Sequence, residues 1–366
     1  MKIIHCADFH LDSAMTSNLD LVTARIRRGE ILRNFERMVG YASSQGVEAI
    51  LLVGDIFDTS SASELTRNTL LHCVVSNPGI SFFYIRGNHD EHFSLESLSR
   101  SGKTPFNLMF FGNGWTCYEC GGVAVYGAEL SGAKDGFYDG LNPDPDKINI
   151  VMLHGQISEY PDKVEYGIDI NRLRGKNIDY LALGHIHYHS EGILDDRGIY
   201  CYSGCPEGRG FDECDGEHGF MLLEADQKKR VVSGKFIPFE RRRHYCVTAD
   251  VTGCMTTSDI IGVCSHALDE AGCGSSSLVK LTLSGSLDAE CEKDISYISG
   301  AFADKYFFLK LEDKTKVKIY ADDYLLDESL KGEFVRTVFA DGTLSDEDKA
   351  AIVSFGFKAL AGEEAF

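Results

Sequence analysis

The sequence contains no long apolar run. Nothing in its 366 residues approaches the roughly 18 consecutive apolar side chains that a membrane-spanning helix needs. The apolar stretch that opens the chain, KIIHCA, is also far too short for the core of a signal peptide, and we expect it to form the first strand of the fold. A membrane protein is therefore not expected, and we predict a cytoplasmic location.

A second cysteine pair at zinc-finger spacing is also missing. The chain has twelve cysteines but a single CxxC motif, at Cys117 and Cys120. Without a secretion signal, the cysteines are expected to be reduced thiols rather than a disulfide framework. Cys6, Cys73 and Cys246 lie in apolar runs, which is typical of buried free cysteine.

Positive charge is scarce. There are 36 Lys and Arg residues against 56 Asp and Glu residues, which gives a net charge of −20. An acidic surface repels phosphate backbones and weakens nonspecific nucleic-acid binding. If the protein acts on DNA, the attraction must come from local features, from bound metal ions or from a partner.

The order of predicted elements favours an α/β fold. Strand-like runs such as AILLVGD and GISFFYIRGN alternate with helical segments in the first 240 residues, as in sandwiches with mostly parallel sheets. One helix is predicted from about Asp20 to Gln45 and another from Ser63 to Ser76. The first has an apolar stripe, which consists of Leu21, Ile26, Leu32, Phe35, Met38 and Val39.

The sequence pattern changes near residue 239, and the length alone suggests about two domains. We predict a first domain over 1–239, a smaller α+β domain over 240–320 and a helical segment over 321–366. The last segment is acidic but carries the apolar residues Phe334, Val338, Phe339, Ile352, Phe355 and Leu360. These either pack on the body of the protein or form a docking segment for a partner.

Polar side chains follow five of the predicted strands. In α/β sheets, functional sites form at the carboxyl ends of strands. In the patterns Asp-x-His and His-x-His, residues i and i+2 project to the same side of an extended chain. The residues that follow these strands are Asp8 and His10; Asp55 and Asp58; Asn88, His89 and Asp90; His154; and His185 and His187.

These residue types predict a metal centre. Asp, His and Asn ligands without Cys suit harder or borderline divalent ions such as Mn²⁺, Fe²⁺ or Zn²⁺. Seven potential ligands are too many for one ion and suit two. Two ions about 3.5–4 Å apart form the clamp that is used for in-line displacement at phosphorus. The sequence therefore predicts a phosphoester-cleaving enzyme.

Taken together, the motifs DxH, GDxxD, GNHD, H and GHxH resemble those of the calcineurin-like metallophosphoesterases. The resemblance covers roughly residues 1–240 and is strongest with the branch of Mre11 and SbcD nucleases, in particular with YhaO-like bacterial DNA repair exonucleases. The segment SGCPEGRGFDE, Ser203 to Glu213, resembles that branch too, with Cys205 where Ser is usual. The resemblance implies a four-layer αββα sandwich, and a capping domain that gates access of DNA to the metals.

The resemblance also implies a role for each matching residue. The seven metal ligands would be Asp8, His10 and His187 for the first ion, Asn88, His154 and His185 for the second, and Asp55 as the bridge between them. His89 would not be a ligand. It would point at the scissile phosphate, and either stabilise the charged transition state or protonate the leaving alkoxide.

Several nearby residues keep two interpretations. Asp58 and Asp90 would orient the ligands, although Asp58 could equally cap a helix. Arg209 could bind a substrate phosphate or form a salt bridge within the fold. The cluster Arg241 to Arg243 could contact a nucleic-acid backbone or form ion pairs.

The resemblance implies a Mn²⁺-dependent DNA exo/endonuclease that works with a coiled-coil ATPase of the Rad50/SbcC type. It also implies a homodimer formed through helices of the phosphoesterase domain. Two alternatives remain: a metallophosphoesterase for small phosphodiesters or phosphomonoesters, which the acidic charge favours, and a mainly structural subunit of an ATPase complex. The complete set of ligands argues against the last.

Overall fold

The computed structural model describes residues 1–17, 19–58, 62–90, 104–130 and 136–361. The chain divides into two compact units, 1–242 and 243–366. None of the described helices combines the length and the apolar content that crossing a membrane requires.

Among its described residues, the first unit contains helices α1 (Leu21–Gln45) and α2 (Glu64–Val75), and fourteen strands. The strands are β1 (Lys2–Cys6), β2 (Ala49–Val53), β3 (Ser81–Ile85), β4 (Leu108–Phe110), β5 (Thr116–Cys120), β6 (Val123–Gly127), β7 (Ile148–His154), β8 (Gln156–Ile157), β9 (Gly167–Ile168), β10 (Tyr180–Gly184), β11 (Ser190–Ile193), β12 (Ile199–Tyr202), β13 (Gly219–Asp226) and β14 (Val231–Pro238).

Twelve of these strands form two six-stranded sheets, with the orders β14-β13-β1-β2-β3-β4 and β11-β12-β10-β7-β6-β5. Pairing is parallel from β1 to β4 and from β12 to β6, whereas β13 and β14, and the edge strands β5 and β11, pair antiparallel. The predicted α/β fold with mostly parallel sheets is confirmed.

The two sheets pack face to face over a shared apolar core. Alternate residues of β2 and β7, such as Leu51 and Ile150, are fully buried in one cluster with Tyr180 of β10. The opposite face of the second sheet is covered, among the described residues, by loops and 3₁₀ helices such as Phe137–Gly140 and Ile170–Arg172. The part of this outer layer that the structure describes thus consists of loops and short 3₁₀ helices.

Helix α1 begins after Asp20, whose side chain accepts hydrogen bonds from the amides of Val22 and Thr23, as an N-cap should. Its buried face includes Phe35 and Met38, as the predicted stripe requires. Leu21 and Ile26 are exposed, at 77% and 44%. The stripe is therefore wrong at its start, where apolar side chains face outward.

His5 is a buried polar link between the two sheets. Its Nδ1 lies 2.9 Å from the hydroxyl of Tyr180, and its Nε2 donates to the carbonyl of Leu183 at 3.1 Å. Because the ring is fully buried, desolvation lowers the pKa of His5 to about 3. The imidazole is thus neutral in the folded protein at any ordinary pH.

Acid should destabilise the protein through His5. Its folded-state pKa of about 3 lies below the value of about 6.5 for an unfolded chain, so the unfolded state binds the extra proton. Stability is therefore complete above about pH 6.5 and falls by about 1.4 kcal/mol per pH unit between pH 6 and 4. In urea titrations we expect His5→Gln to show a correspondingly shallower slope of unfolding free energy against pH. The exposed His72 supplies the control, His72→Gln, and equal slopes in all three proteins would contradict the prediction.

The second unit is a smaller α+β structure. Its elements are strands β15 (His244–Asp250), β16 (Leu278–Ser284), β17 (Ser286–Asp288), β18 (Phe308–Asp313) and β19 (Lys316–Lys318), and helices α3 (Thr257–Glu270), α4 (Ile295–Ala303), α5 (Leu330–Ala340) and α6 (Asp346–Ala361). β15, β16 and β18 form a parallel sheet, and β17 pairs with β19. Thr256 and Asp259 cap α3 reciprocally, which is the capping-box arrangement.

The C-terminal helices α5 and α6 have a small apolar core of their own. Val335, Val338, Val353 and Phe357 are buried together there, and Phe334 and Phe339 pack against them. Ile352, Phe355 and Leu360 remain exposed. Of the six apolar residues that the sequence shows in 321–366, Phe334, Val338 and Phe339 thus pack within the second unit. The other three face outward. Residues 362–366 lie outside the described part of the chain.

The cysteines behave mostly as expected. All twelve are free, and Cys6 and Cys73 are buried. Cys246 is exposed because its side chain is on the outward-facing side of β15. The side chains of His244 and Val247 in the same strand are buried. The apolar neighbours of Cys246 in the sequence therefore gave a wrong prediction of burial.

Candidate metal centre

The side chains that follow the strands meet between the ends of the two sheets. Asp8 and His10 follow β1, Asp55 follows β2, and Asn88 and His89 follow β3 in the first sheet. His154 ends β7, and His185 and His187 follow β10 in the second sheet. Three groups of potential ligand atoms result among the described residues, each within 4.8 Å of one another: Asp8, His10 and His187; Asp55, His154 and His185; and His10, Asp58 and His89. The first two consist of predicted ligands and are called the first and the second group.

In the first group, the orientation of His10 leaves a nitrogen free for a cation. Its Nδ1 donates a hydrogen bond to Asp58 Oδ1 at 2.9 Å, so the Nε2 of the neutral ring carries a lone pair. That Nε2 is buried and has no hydrogen-bond partner in the described part of the chain. An orphaned buried acceptor beside Asp8 and His187 fits a divalent ion.

In the second group, several acceptor atoms face one another. His154 Nδ1 donates to the carbonyl of Val53 at 2.9 Å, so its Nε2 is the acceptor in the neutral ring. This Nε2 lies 3.2 Å from Asn88 Oδ1 and 3.4 Å from Asp55 Oδ2. The same Asn88 oxygen lies 3.1 Å from His185 Nδ1. This convergence of a carboxylate oxygen, an amide oxygen and two imidazole nitrogens suits a cation at its centre.

The pKa of His154 indicates the same requirement. Burial alone would lower it, but the carboxylates of Asp55 and Asp8 raise it to about 9. A proton thus takes the place that a cation would fill in the metal-free chain. The donor set of the two groups fits divalent ions, because it combines carboxylate, imidazole and amide ligands that are held in advance by the fold.

Asp55 lies between the two groups. Its Oδ2 is 3.4 Å from His154 Nε2 in the second group and 3.7 Å from His10 Nε2 in the first. Its Oδ1 accepts a hydrogen bond from the backbone amide of His89 at 2.8 Å. Although burial opposes ionisation, His154 and His10 hold the pKa of Asp55 well below its usual range. This geometry supports the predicted bridging role.

His89 belongs to neither the first nor the second group, and its ring nitrogen groups instead with His10 and Asp58. Its side chain is 45% exposed, and its Nδ1 lies 3.7 Å from Asp58 Oδ1. The ring meets that of His10 edge to face, with the centroids 4.8 Å apart. An exposed imidazole next to two ligand groups can reach a substrate that is bound there, as the sequence predicts.

Four of the predicted ligands have an unusual backbone conformation. Asp8, His10, Asp55 and His185 have φ angles of 56°, 45°, 51° and 97°. Non-glycine residues rarely adopt this left-handed region, and it costs on the order of 1 kcal/mol or more for each. The surrounding sheets hold these residues in place, which turns their side chains toward the centre.

Three glycines allow the backbone to approach the ligands closely. A Cβ on Gly54 or Gly184 would lie 2.2 Å or 2.8 Å from His154 Nδ1, and one on Gly87 would lie 2.1 Å from Asp55 Oδ1. Gly87 is not among the glycines with positive φ. This glycine is therefore not needed for a left-handed turn, and instead leaves room for Asp55.

Two nearby carboxylates hold different parts of the site. Asp58 accepts from His10 and does not cap α2, whose N-cap is Ser63. The described hydrogen bonds of Asp90 do not involve the side chain of a predicted ligand. Its carboxylate accepts hydrogen bonds from the backbone amides of Ile56, Phe57 and Gly87. Asp90 thus ties the loop after β2 to the loop after β3.

Sequence reasoning missed Glu213. Its Oε1 lies 2.6 Å from His187 Nδ1, so it orients this ligand as Asp58 orients His10. The only signal for Glu213 in the sequence is its position at the end of the SGCPEGRGFDE segment. Arg209 of the same segment contacts Asp58 and Glu213.

The arginine cluster at the end of the first unit forms ion pairs. Arg242 Nη2 lies 2.7 Å from Glu30 Oε1, and the Nε of Arg241 lies 3.4 Å from the same atom. The backbone amides of both arginines donate to Glu207. These contacts favour the ion-pair interpretation of the cluster over contact with nucleic acid.

The chain is similar to proteins that share its motifs. It is 26% identical over 259 residues to the DNA double-strand break repair protein Mre11 of Sulfurisphaera tokodaii, which covers 68% of this chain and 65% of that protein. It is 28% identical over 242 residues to the uncharacterized metallophosphoesterase YhaO of Bacillus subtilis, with coverages of 61% and 57%. The matches thus span less than two thirds of either relative.

A crystal structure of a dimetal phosphatase from Danio rerio aligns with 61% of this chain and 92% of its own, with a TM-score of 0.41 and 11% identity. A family model described as calcineurin-like phosphoesterase matches residues 1–189, which is more than half of the sequence. That range contains every predicted metal ligand and His89. The chain therefore belongs to the calcineurin-like phosphoesterase family of metal-dependent hydrolases.

Proposed function

We propose that the protein is a two-metal phosphodiesterase that cleaves DNA, as a Mn²⁺-dependent exo/endonuclease. The observation that carries the proposal is the pair of adjoining ligand groups, in which Asp55 of the second lies 3.7 Å from His10 Nε2 of the first, with the exposed imidazole of His89 beside them. Two adjoining divalent sites suit in-line displacement at phosphorus. The similarity to proteins named for DNA double-strand break repair favours DNA over other phosphodiesters.

The chain would hold the two ions with the seven predicted ligands: Asp8, His10 and His187; Asn88, His154 and His185; and Asp55 between the groups. Ions bound there would supply Lewis-acid chemistry at phosphorus. Asp58 and Glu213 fix the tautomers of His10 and His187, because each accepts the Nδ1 proton and so directs Nε2 to the centre. His89 is placed to stabilise charge on the phosphate or to give a proton to the leaving oxygen.

The proposal includes partners. The resemblance to the Mre11/SbcD branch implies a Rad50/SbcC-like coiled-coil ATPase, and the exposed Phe355, Ile352 and Leu360 of α6 offer apolar surface for it. A homodimer through helices of the first unit is also proposed. Its support is the exposure of Leu21 and Val22 in α1 and of Leu65 in α2, each at least two thirds exposed.

A second candidate function is hydrolysis of small phosphodiesters or phosphomonoesters. The net charge of −20 favours it, because an acidic protein attracts a long polyanion poorly. The two functions use the same centre and differ only in the substrate that reaches it.

Metal-dependent hydrolysis tests the proposal. Purified protein, stripped with EDTA and then loaded with Mn²⁺, would be incubated with labelled single- and double-stranded DNA and with bis-p-nitrophenyl phosphate. His89→Ala controls for contaminating nucleases. We expect no cleavage without metal and degradation of DNA after Mn²⁺ is added. Turnover of the small diester alone would support the second candidate, and no turnover with both ions bound would favour a structural subunit.

A further inference from the structure

We propose that Arg209 is a positioning residue that fixes the two histidine ligands of the first metal group, His10 and His187, by bridging the carboxylates that orient them. The inference rests on the proposed function, because it concerns the site of the first ion. It gives Arg209 a role that differs from the contact with a substrate phosphate that the sequence suggests.

On one side, Arg209 contacts the carboxylate that orients His10. Its Nη1 donates to Asp58 Oδ1 at 3.3 Å. The same oxygen accepts the Nδ1 proton of His10 at 2.9 Å. Asp58 is therefore held between a guanidinium and an imidazole, which restricts both the carboxylate and the ring.

On the other side, Arg209 contacts the carboxylate that orients His187. Its Nη2 donates to Glu213 Oε1 at 3.1 Å, and its backbone amide donates to Glu213 Oε2 at 2.6 Å. Oε1 also accepts the Nδ1 proton of His187 at 2.6 Å. Both oxygens of Glu213 thus point at Arg209, and one of them is shared with the ligand.

Burial makes these charges depend on one another. The side chains of Arg209, Glu213 and Asp58 are 15%, 5% and 19% exposed. Removal of the guanidinium would leave two partly buried carboxylates without their cation, which is strongly unfavourable.

The planar fork of arginine suits this task. One guanidinium that bonds two carboxylates fixes their separation, whereas an ammonium is a point charge on a flexible stem. The rings of His10 and His187 are 5.2 Å apart between centroids, at an interplanar angle of 74°. We infer that the fork sets this angle, because it holds the carboxylate behind each ring.

The contacts of Arg209 argue against a substrate contact. Its Nη1 faces Asp58, and its Nη2 faces Glu213 and the ring nitrogens of His187, at 3.3 Å from Nδ1 and 3.5 Å from Nε2. Its Nε is buried and finds no acceptor in the described part of the chain. An arginine that binds phosphate would present its fork to the solvent-filled cleft. The two roles also predict different kinetics, since a lost phosphate contact raises KM, whereas a displaced ion lowers kcat at saturating substrate.

Calorimetric titration of the metal-free protein with Mn²⁺ tests the inference without measuring turnover. Wild type should bind two ions. We expect Arg209→Met to weaken one of them by about 10–100-fold and to leave the other unchanged. His187→Ala and His154→Ala show which isotherm belongs to which group. With saturating Mn²⁺, Arg209→Met should lower kcat and leave KM for bis-p-nitrophenyl phosphate unchanged.

Arg197→Met is the matched control. Arg197 also forms a two-point ion pair, with its Nε and Nη2 bonded to Asp179 at 3.0 and 2.9 Å, but it contacts no predicted ligand. Its loss should lower stability without changing either Mn²⁺ affinity. Arg209→Lys keeps the charge without the fork, and should weaken the first ion less than Arg209→Met does. If Arg209→Met fails to fold, the lysine variant carries the test.

The other possible results distinguish the positioning role of Arg209 from a contact with a substrate phosphate. Wild-type affinity for both ions in Arg209→Met, or in Arg209→Lys when only that variant folds, would overturn the positioning role. A raised KM with unchanged metal affinity would assign Arg209 to the substrate instead. If wild type bound no Mn²⁺, the proposed function itself would fail, and that outcome is visible before any variant is compared.

Discussion

Replacing His89 by alanine should lower kcat for DNA cleavage by about 10²–10⁴-fold while both ligand groups keep their affinity for Mn²⁺. The imidazole is 45% exposed beside the two groups and is not one of the seven predicted ligands. Its removal therefore deletes a group that faces the substrate and leaves the ligands themselves in place. Single-turnover rates at saturating Mn²⁺, together with metal titrations, measure the two effects separately.

The size of the loss on different substrates distinguishes the two roles open to His89. A leaving alkoxide of DNA needs a proton, whereas p-nitrophenolate leaves readily without one. If His89 is a general acid, the alanine variant should lose much more activity on DNA than on bis-p-nitrophenyl phosphate. If it stabilises charge on the phosphate, the losses should be similar on both substrates.

His266→Ala provides the control for this prediction. His266 is 77% exposed on α3, in the second unit, so its loss should change neither kcat nor metal affinity. A His89→Ala protein with wild-type kcat on both substrates would remove His89 from the reaction. Loss of bound Mn²⁺ in that variant would instead show that the ring acts as a ligand.

Replacing Gly87 by alanine should abolish the bridging position of Asp55. The new Cβ would lie 2.1 Å from Asp55 Oδ1 and 2.6 Å from its backbone nitrogen, distances at which the carboxylate or the strand end must move. A displacement of about 1 Å at a reacting centre costs about 100-fold in rate. We expect at least that loss of kcat, weaker binding of both ions, and a free energy of unfolding lower by about 1–3 kcal/mol.

Gly79→Ala is a matched control at the other end of the same strand. Gly79 precedes β3 as Gly87 follows it, and a Cβ there would meet nothing within 4 Å. This variant should keep wild-type metal affinity and be as stable as wild type or slightly more stable, since alanine reduces the freedom of the unfolded chain. Calorimetry with Mn²⁺ and urea titrations compare the two variants. Two bound ions and unchanged kcat in Gly87→Ala would show that the space beside Asp55 is not needed.

Much of the first unit could be predicted from the sequence because local patterns and long-range packing agree there. The apolar runs before Asp55 and Gly87 form fully or largely buried strands, and the helix expected from Ser63 to Ser76 is α2 with those two residues as its caps. The exposure of Leu21 and Ile26 could not be predicted, because an apolar stripe on a helix does not show where the structure that packs against it ends. The same holds for Cys246, whose exposure depends on which face of its sheet is covered.

The site was predictable where chemistry and spacing coincide. The strand-end motifs contain the predicted ligands and His89, which the structure brings together, because each motif carries its residues on one short stretch. Glu213 could not be found in this way. It acts on His187 from 26 positions away, and apart from its place at the end of the SGCPEGRGFDE segment nothing distinguishes it in an acidic chain. The reason for Gly87 was also hidden, because the atom it must avoid belongs to another strand.

The left-handed backbone at Asp8, His10, Asp55 and His185 bears on how the protein would evolve under selection. A screen for heat resistance that ignored activity would reward glycine or asparagine at these positions, since both tolerate that conformation and relieve the strain. Stabilised survivors would accumulate changes at the candidate metal centre before they change at other positions. The positions enriched in such a library would therefore outline the metal centre without any substrate being known.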